Sequence, residues 1–236
     1  MAGIALGQSG IANPDAVGSV LSNPAGMAQR NFFLSWQPEW KQGTTASLQG
    51  VTIQLDRLGY AQIQDWRDQT LVTHTLWTVG QAVNEHMKWG LRHHERHMGS
   101  DHSWGIDVGV LWQVMPHLTV GGVAYQWVTD QPTHQPHYQI GWTWHGPGDG
   151  WAWNLDGQQQ PNQDWVMVTG LSMVIQDDFQ LRMGLHPYQF TGGLGTMVGA
   201  CWVDYAFEAP FSGTDKTHHL AIRLGGVPTH HPKEAN

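Results

Sequence analysis

From Arg30 onward the chain alternates apolar and polar residues with a period of two, segment after segment. Fourteen such segments can be read, near 32–40, 45–55, 58–66, 70–82, 86–97, 102–114, 117–128, 137–145, 150–157, 163–176, 178–188, 189–199, 200–210 and 217–226. In one of them Trp104, Ile106, Val108, Val110, Trp112 and Val114 share a face. Ser103, Gly105, Asp107, Gly109 and Gln113 share the other, and Leu111 is the exception there. Trp151, Trp153 and Leu155 likewise oppose Ala152, Asn154 and Asp156, and Leu220, Ile222 and Leu224 oppose Ala221, Arg223 and Gly225. Successive side chains on a strand point to opposite faces, so each segment has one greasy and one wet face. Segments of about ten residues suit a tilted strand that crosses a membrane. Short turn signals separate them, among them Gln42-Gly43, Met115-Pro116, Gly146-Pro147-Gly148, Asp177-Asp178 and Gly213-Thr214-Asp215. The expected fold is all-β: a transmembrane antiparallel barrel of about 14 strands over residues 31–227. A Gly-, Ala- and Ser-rich segment, residues 1–30, precedes it as an irregular stretch or short helix pair, and a polar tail, 228–236, follows.

Composition fits that fold better than a soluble one. Only 13% of the 236 residues are charged, and the 14 tryptophans outnumber lysine and arginine together, at 11. No apolar run is long enough for a transmembrane helix. Mean hydropathy is negative (−0.37), as expected where every strand mixes lipid-facing and lumen-facing residues. Many tryptophans fall at segment ends: Trp36, Trp40, Trp66, Trp127, Trp142, Trp144, Trp151 and Trp165. An indole, apolar in body with one N–H donor, suits the headgroup level of a bilayer. The same residues also admit a soluble β module that binds carbohydrate through Trp142, Trp144, Trp151 and Trp153. A net charge of −8 argues against nucleic acid as a partner. Cys201 alone excludes an intrachain disulfide. Met1-Ala2-Gly3 lacks the basic start and apolar stretch of a signal peptide, so either this is a mature or recombinant form with an added Met1 or the membrane reading fails.

The N-terminal segment carries Gly7-Gln8-Ser9-Gly10-Ile11-Ala12, then Asn13-Pro14-Asp15, then Ser19-Val20-Leu21-Ser22-Asn23-Pro24-Ala25-Gly26-Met27-Ala28. This order resembles the N-terminal region of the FadL and PorV-like outer-membrane transport proteins. Trp104 to Trp112 followed by Leu118-Thr119-Val120-Gly121-Gly122 is similar to a hairpin of that family, as are Phe190 to Gly195 and Val203 to Phe207. The resemblance implies a fourteen-stranded barrel with an N-terminal hatch in its lumen, in the outer membrane of a Gram-negative-type bacterium. It further implies transport of small hydrophobic molecules such as fatty acids or hydrocarbons, or, in the PorV branch, the handling of secreted proteins.

On this reading residues 1–30 plug the lumen, with Asn23, Pro24, Ala25 and Gly26 at the pivot. The inferred lumen face carries Lys88, Arg92, Arg96, Asp107, Asn154, Asp156, Arg182, Asp204 and Arg223. Charges of both signs there must pair or stay hydrated. Arg92, Arg182 or Arg223 is a candidate to meet a carboxylate headgroup, because a guanidinium binds a carboxylate bidentately; the sequence does not choose among them. Of the 15 histidines, His93, His94 and His97 cluster with His102 close by, and His134 and His137, His218 and His219, and His230 and His231 recur. His93 and His97 share a strand face while His94 points away, which is poor geometry for one tight site, so neither metal nor cofactor is expected. No nucleophile elbow, zinc-protease helix motif or phosphate-binding loop is present, so the chain is not expected to be an enzyme. The expected partners are lipid, a hydrophobic small molecule and, alternatively, a secretion-system or surface-attachment protein.

Overall fold

The computed structural model describes residues 9–13, 19–29, 31–41, 48–67, 70–131, 135–159, 164–176, 178–213 and 216–225. Expectations that rest on residues 1–8, 14–18, His134, His230, His231 and the tail 228–236 lie outside these. Fourteen strands follow one another along the chain: β1 (Asn31–Lys41), β2 (Leu48–Asp56), β3 (Leu58–Arg67), β4 (Thr70–Ala82), β5 (Met87–Met98), β6 (Asp101–Met115) and β7 (Leu118–Thr129), then β8 (His137–His145), β9 (Trp151–Gln159), β10 (Trp165–Gln176), β11 (Phe179–His186), β12 (Gln189–Val198), β13 (Cys201–Pro210) and β14 (Thr217–Gly225). Each pairs antiparallel with its sequence neighbours, and β14 returns to β1 with Leu224 opposite Leu34, closing the barrel. Closure leaves no sheet edge with unpaired backbone groups, which a lipid environment requires. The fourteen segments read from the alternation are these strands.

The alternation sorts residues between two surfaces. Phe32, Leu34 and Trp36 on β1, Trp89 and Leu91 on β5, Trp112 on β6, Trp151 and Trp153 on β9 and Leu181, Met183 and Leu185 on β11 all stand exposed. A soluble monomer rarely exposes an apolar patch beyond a few hundred Å². Here the patch is a continuous belt around the barrel, which water would penalise and lipid tails accept. Trp36, Trp66, Trp127, Trp142, Trp144, Trp151 and Trp165 belong to this outward surface.

The two ends of the barrel differ. Residues 57, 83–86, 116–117, 146–150, 177–178 and 199–200 connect strands at the end where β1 begins, and 42–47, 68–69, 99–100, 130–136, 160–164, 187–188 and 211–216 at the other. In bacterial barrels the shorter turns face the periplasm and the longer loops face outward.

The inner surface is lined by the opposite residue set, and part of it is covered by the chain's own N-terminal segment. Among the described residues of this segment, Pro24–Ala28 form a 3-10 turn with Asn23 as N-cap, and all five residues are buried. Leu111, the apolar exception on the wet face of β6, packs there with Ile11, Ala12, Ala25 and Val123. A second apolar group joins Val20 and Met27 to Ala61 of β3. The small core of this protein therefore lies inside the barrel, between the N-terminal segment and the wall.

Candidate functional site within the lumen

The wall facing this segment is made of glycine. Gly80, Gly90 and Gly109 stand directly opposite one another across β4, β5 and β6. Two residues further along β6, Leu111 stands opposite Gly121, which stands opposite Gly141, which stands opposite Asp156. A Cβ on Gly80 would collide with the Met27–Ala28 backbone, one on Gly90 with the Pro24 carbonyl and one on Gly109 with the Asn23 and Pro24 side chains. A Cβ on Gly121 would lie 2.8 Å from Ala12 Cα, and one on Gly59 2.6 Å from Val20 Cγ2. The segment's backbone lies against Gly80, Gly90 and Gly121 and its side chains against Gly59 and Gly109, so any side chain there would lift the segment off the wall.

Polar side chains then fix the segment in place. Asn23 is buried, and its amide nitrogen donates to the carbonyls of Ile11 (2.9 Å) and Val110 (3.0 Å) while its Oδ1 accepts from Ala25 N–H (3.0 Å). It thus ties two pieces of the segment to each other and to β6. Ala25 fills the apolar group beside Leu111, and a Cβ on Gly26 would strike Ser19. Asn23, Pro24, Ala25 and Gly26 accordingly form one contact surface with the wall.

Arg92 and Asp107 make the first charged pair, Nε to Oδ2 at 2.7 Å, with 4% and 2% of each side chain exposed. The other end of the guanidinium donates to the carbonyls of Val20 (3.0 Å) and Ser22 (3.2 Å). Tyr125 lies under it, 5.5 Å from ring centroid to Cζ. Asp107 Oδ1 accepts from Gln126 N–H at 2.7 Å and stands 3.3 Å from His94 Nδ1. Gln126 has a φ of 52°, and the β6–β7 register shifts at this point. Asp107 thus anchors a left-handed bulge as well as the arginine. Tyr125 donates to Gln139, and Gln139 donates to Asp156 (3.0 and 3.1 Å). Asp156, fully buried, also accepts from Gly10 N–H (2.8 Å) and Ile11 N–H (3.0 Å). One charged side chain therefore holds carbonyls of the segment, and another holds its amides.

Arg182, Asp204 and Arg223 form a second group across β11, β13 and β14. Arg182 pairs with Asp204 Oδ1 and with Gln180. Arg223 Nη2 stands 3.5 Å from Asp204 Oδ2, and its guanidinium lies 5.8 Å from the Trp202 ring. Arg223 is 2% exposed, yet its Nε and Nη1 have no hydrogen-bond partner among the described residues. Near the long-loop end His219 sits between Glu39 (3.3 Å) and Glu208 (3.7 Å), also facing inward.

Of the eight charged residues read onto the lumen face, Arg92, Asp107, Asp156, Arg182, Asp204 and Arg223 lie on the inner surface in two separate groups. Asn154, buried, accepts from Thr143 Oγ1 at 2.7 Å, and Lys88 and Arg96 occupy inward positions on β5. Sequence reasoning did not single out Tyr125, Gln139, Gln126, Trp202, Glu39, Glu208 or the glycine rows. The glycines carried a signal in their repeated placement on the wet face, but register across strands was needed to read it.

No protein-family model matches this sequence, and no curated protein is significantly similar to it. Solved structures do share the fold. A Pseudomonas aeruginosa FadL homologue superposes with a TM-score of 0.60 at 10% identity, over 95% of this chain and 97% of that one. The Pseudomonas putida toluene transporter TodX gives 0.57 at 8% identity, over 89% and 92%. The Acinetobacter baumannii outer membrane protein Omp33 gives 0.59 at 9% identity, over 84% and 98%. The fold of this chain is that of FadL-like outer-membrane barrels.

Proposed function

We propose that this protein is an outer-membrane channel for small hydrophobic molecules, closed by its N-terminal segment acting as a hatch. The observation that carries the reading is the seating of residues 9–13 and 19–29 on the glycine rows inside the barrel. A close fit on the glycine rows, two small apolar groups and a few charge-assisted hydrogen bonds make a seat that can be released by breaking few interactions. The steps of uptake are capture at the long-loop mouth, displacement of the hatch, and release inward or sideways. The toluene transporter and the FadL homologue, whose folds are similar, support a hydrophobic cargo.

Among the three arginines, Arg223 is best placed to meet a carboxylate headgroup. Arg92 is committed to Asp107 and the hatch carbonyls, and Arg182 to Asp204 and Gln180. Arg223 holds two unpaired but buried donors beside the Trp202 ring, so a carboxylate and an apolar tail could be received together only where the wall side chains around it move aside. A fatty-acid-like amphiphile fits this better than an uncharged hydrocarbon.

The deciding test is native mass spectrometry of the protein extracted from outer membranes in mild detergent. A monomer carrying a fatty-acid-sized adduct supports the proposal. A bare barrel bound to a second polypeptide favours a secretion or surface-attachment scaffold instead. Recovery only in the soluble fraction would return the carbohydrate-binding reading; Trp142, Trp144, Trp151 and Trp153 stand outward on β8 and β9, in the belt assigned here to lipid.

A further inference from the structure

We propose that the outer wall of the β5–β6 hairpin binds a divalent transition metal through Glu95, His97 and His102. One ligand atom from each of the three side chains lies within 4.8 Å of the others. The placement follows from register. Glu95 and His97 are two apart on β5 and therefore share its outer face, and His102 of β6 stands directly opposite His97. The two imidazole rings are 4.5 Å apart between centroids. Glu95 Oε2 stands 3.6 Å from His97 Nε2. The register is fixed by the tight turn at 99–100, where Gly99 takes a φ of 60° that other residues adopt at a cost.

Two imidazoles and one carboxylate suit zinc, nickel or copper better than calcium or magnesium, which prefer all-oxygen cages. Three protein ligands leave a fourth position for water or an incoming group, as in open zinc sites. The location admits metal from solution. On the outer face of β5 the apolar residues Met87, Trp89 and Leu91 give way to His93, Glu95 and His97 toward the long-loop end. Thr73 and Thr75 continue this polar surface on β4. The cluster thus stands above the lipid belt on the side facing out of the cell, and rotamer adjustment of exposed side chains suffices to close it around an ion. His94, next in sequence, points inward to Asp107 and takes no part. A cluster of His93, His94 and His97 is ruled out by strand geometry; the ligand that completes the site comes from across the hairpin.

The test is zinc titration of the untagged full-length protein in detergent, followed by calorimetry and X-ray absorption. The expected result is a site with two imidazole nitrogens and one carboxylate oxygen in its shell. H97Q/H102Q should weaken it by about tenfold or more, and E95Q should remove the oxygen ligand. H230Q/H231Q should leave it in place, which separates it from the tail histidines. An isotherm unchanged in H97Q/H102Q overturns the proposal, and an unchanged shell in E95Q removes Glu95 from it. These side chains project outward, so the melting temperature without zinc should match the parent, and a loss of zinc-induced stabilisation reports the site rather than misfolding.

Discussion

The two buried arginine–aspartate groups in the lumen are chemically alike and employed differently. Arg92 and Asp107 spend nearly all their hydrogen-bonding capacity on the protein: on each other, on two carbonyls of the N-terminal segment and on the β7 bulge. In the other group one carboxylate serves two guanidiniums, and Arg223 retains donors with no protein partner among the described residues. A saturated ion pair in a dry site resists disturbance, because removing either partner strands the other. An unsaturated one attracts whatever anion can reach it. The first arrangement suits a latch and the second suits a receptor.

Four experiments would break or sharpen this contrast. Deleting residues 3–28 should have the largest effect, turning a closed barrel into an open pore in planar-bilayer recordings. Unchanged conductance would mean that the segment does not close the lumen. Arg92→Ala should come next. It leaves Asp107 buried without its cation and two carbonyls without their donor, a loss of about 3–5 kcal/mol. Urea denaturation should show the destabilisation, and frequent open events should appear in the same recordings. Gly90→Leu should act in the same direction without altering any charge, since its side chain would occupy the space of the Pro24 carbonyl. Overpacking of this kind costs about 1–3 kcal/mol. If Gly90→Leu leaves the channel closed, the glycine row is not the seat of the segment. Arg223→Gln should have the smallest effect on the barrel and a selective one on ligand. Carboxylate-bearing amphiphiles should bind about tenfold more weakly, reflecting a charge-assisted hydrogen bond of about 1.5–3 kcal/mol, while uncharged analogues bind as before. Equal losses for both ligand types would move the headgroup site elsewhere.

The strand order, number and facing were legible in the chain. Most strands follow a period of two, the connections at one end are short, and antiparallel neighbours in sequence are neighbours in space. The belt of outward tryptophans was legible for the same reason. Leu111 was the visible irregularity, a greasy residue on a wet face, and its partners Ile11, Ala12 and Ala25 arrive from about a hundred residues upstream. Nothing local to β6 announces that contact.

What the sequence determined by itself is therefore the wall: which residues face lipid, which face the lumen, and that Arg92, Asp107, Asp156, Arg182, Asp204 and Arg223 all point inward. What only the tertiary structure decided is how these residues are shared out. Register placed Gly80, Gly90 and Gly109 in one row and brought His102 opposite His97. The pairing of β11 through β14 put Asp204 between two arginines from different strands. The physical reason is one of range. Alternation is a property of adjacent residues, whereas a hydrogen bond from Arg92 to Val20 spans 72 positions of chain, and its existence depends on the whole wall being in register.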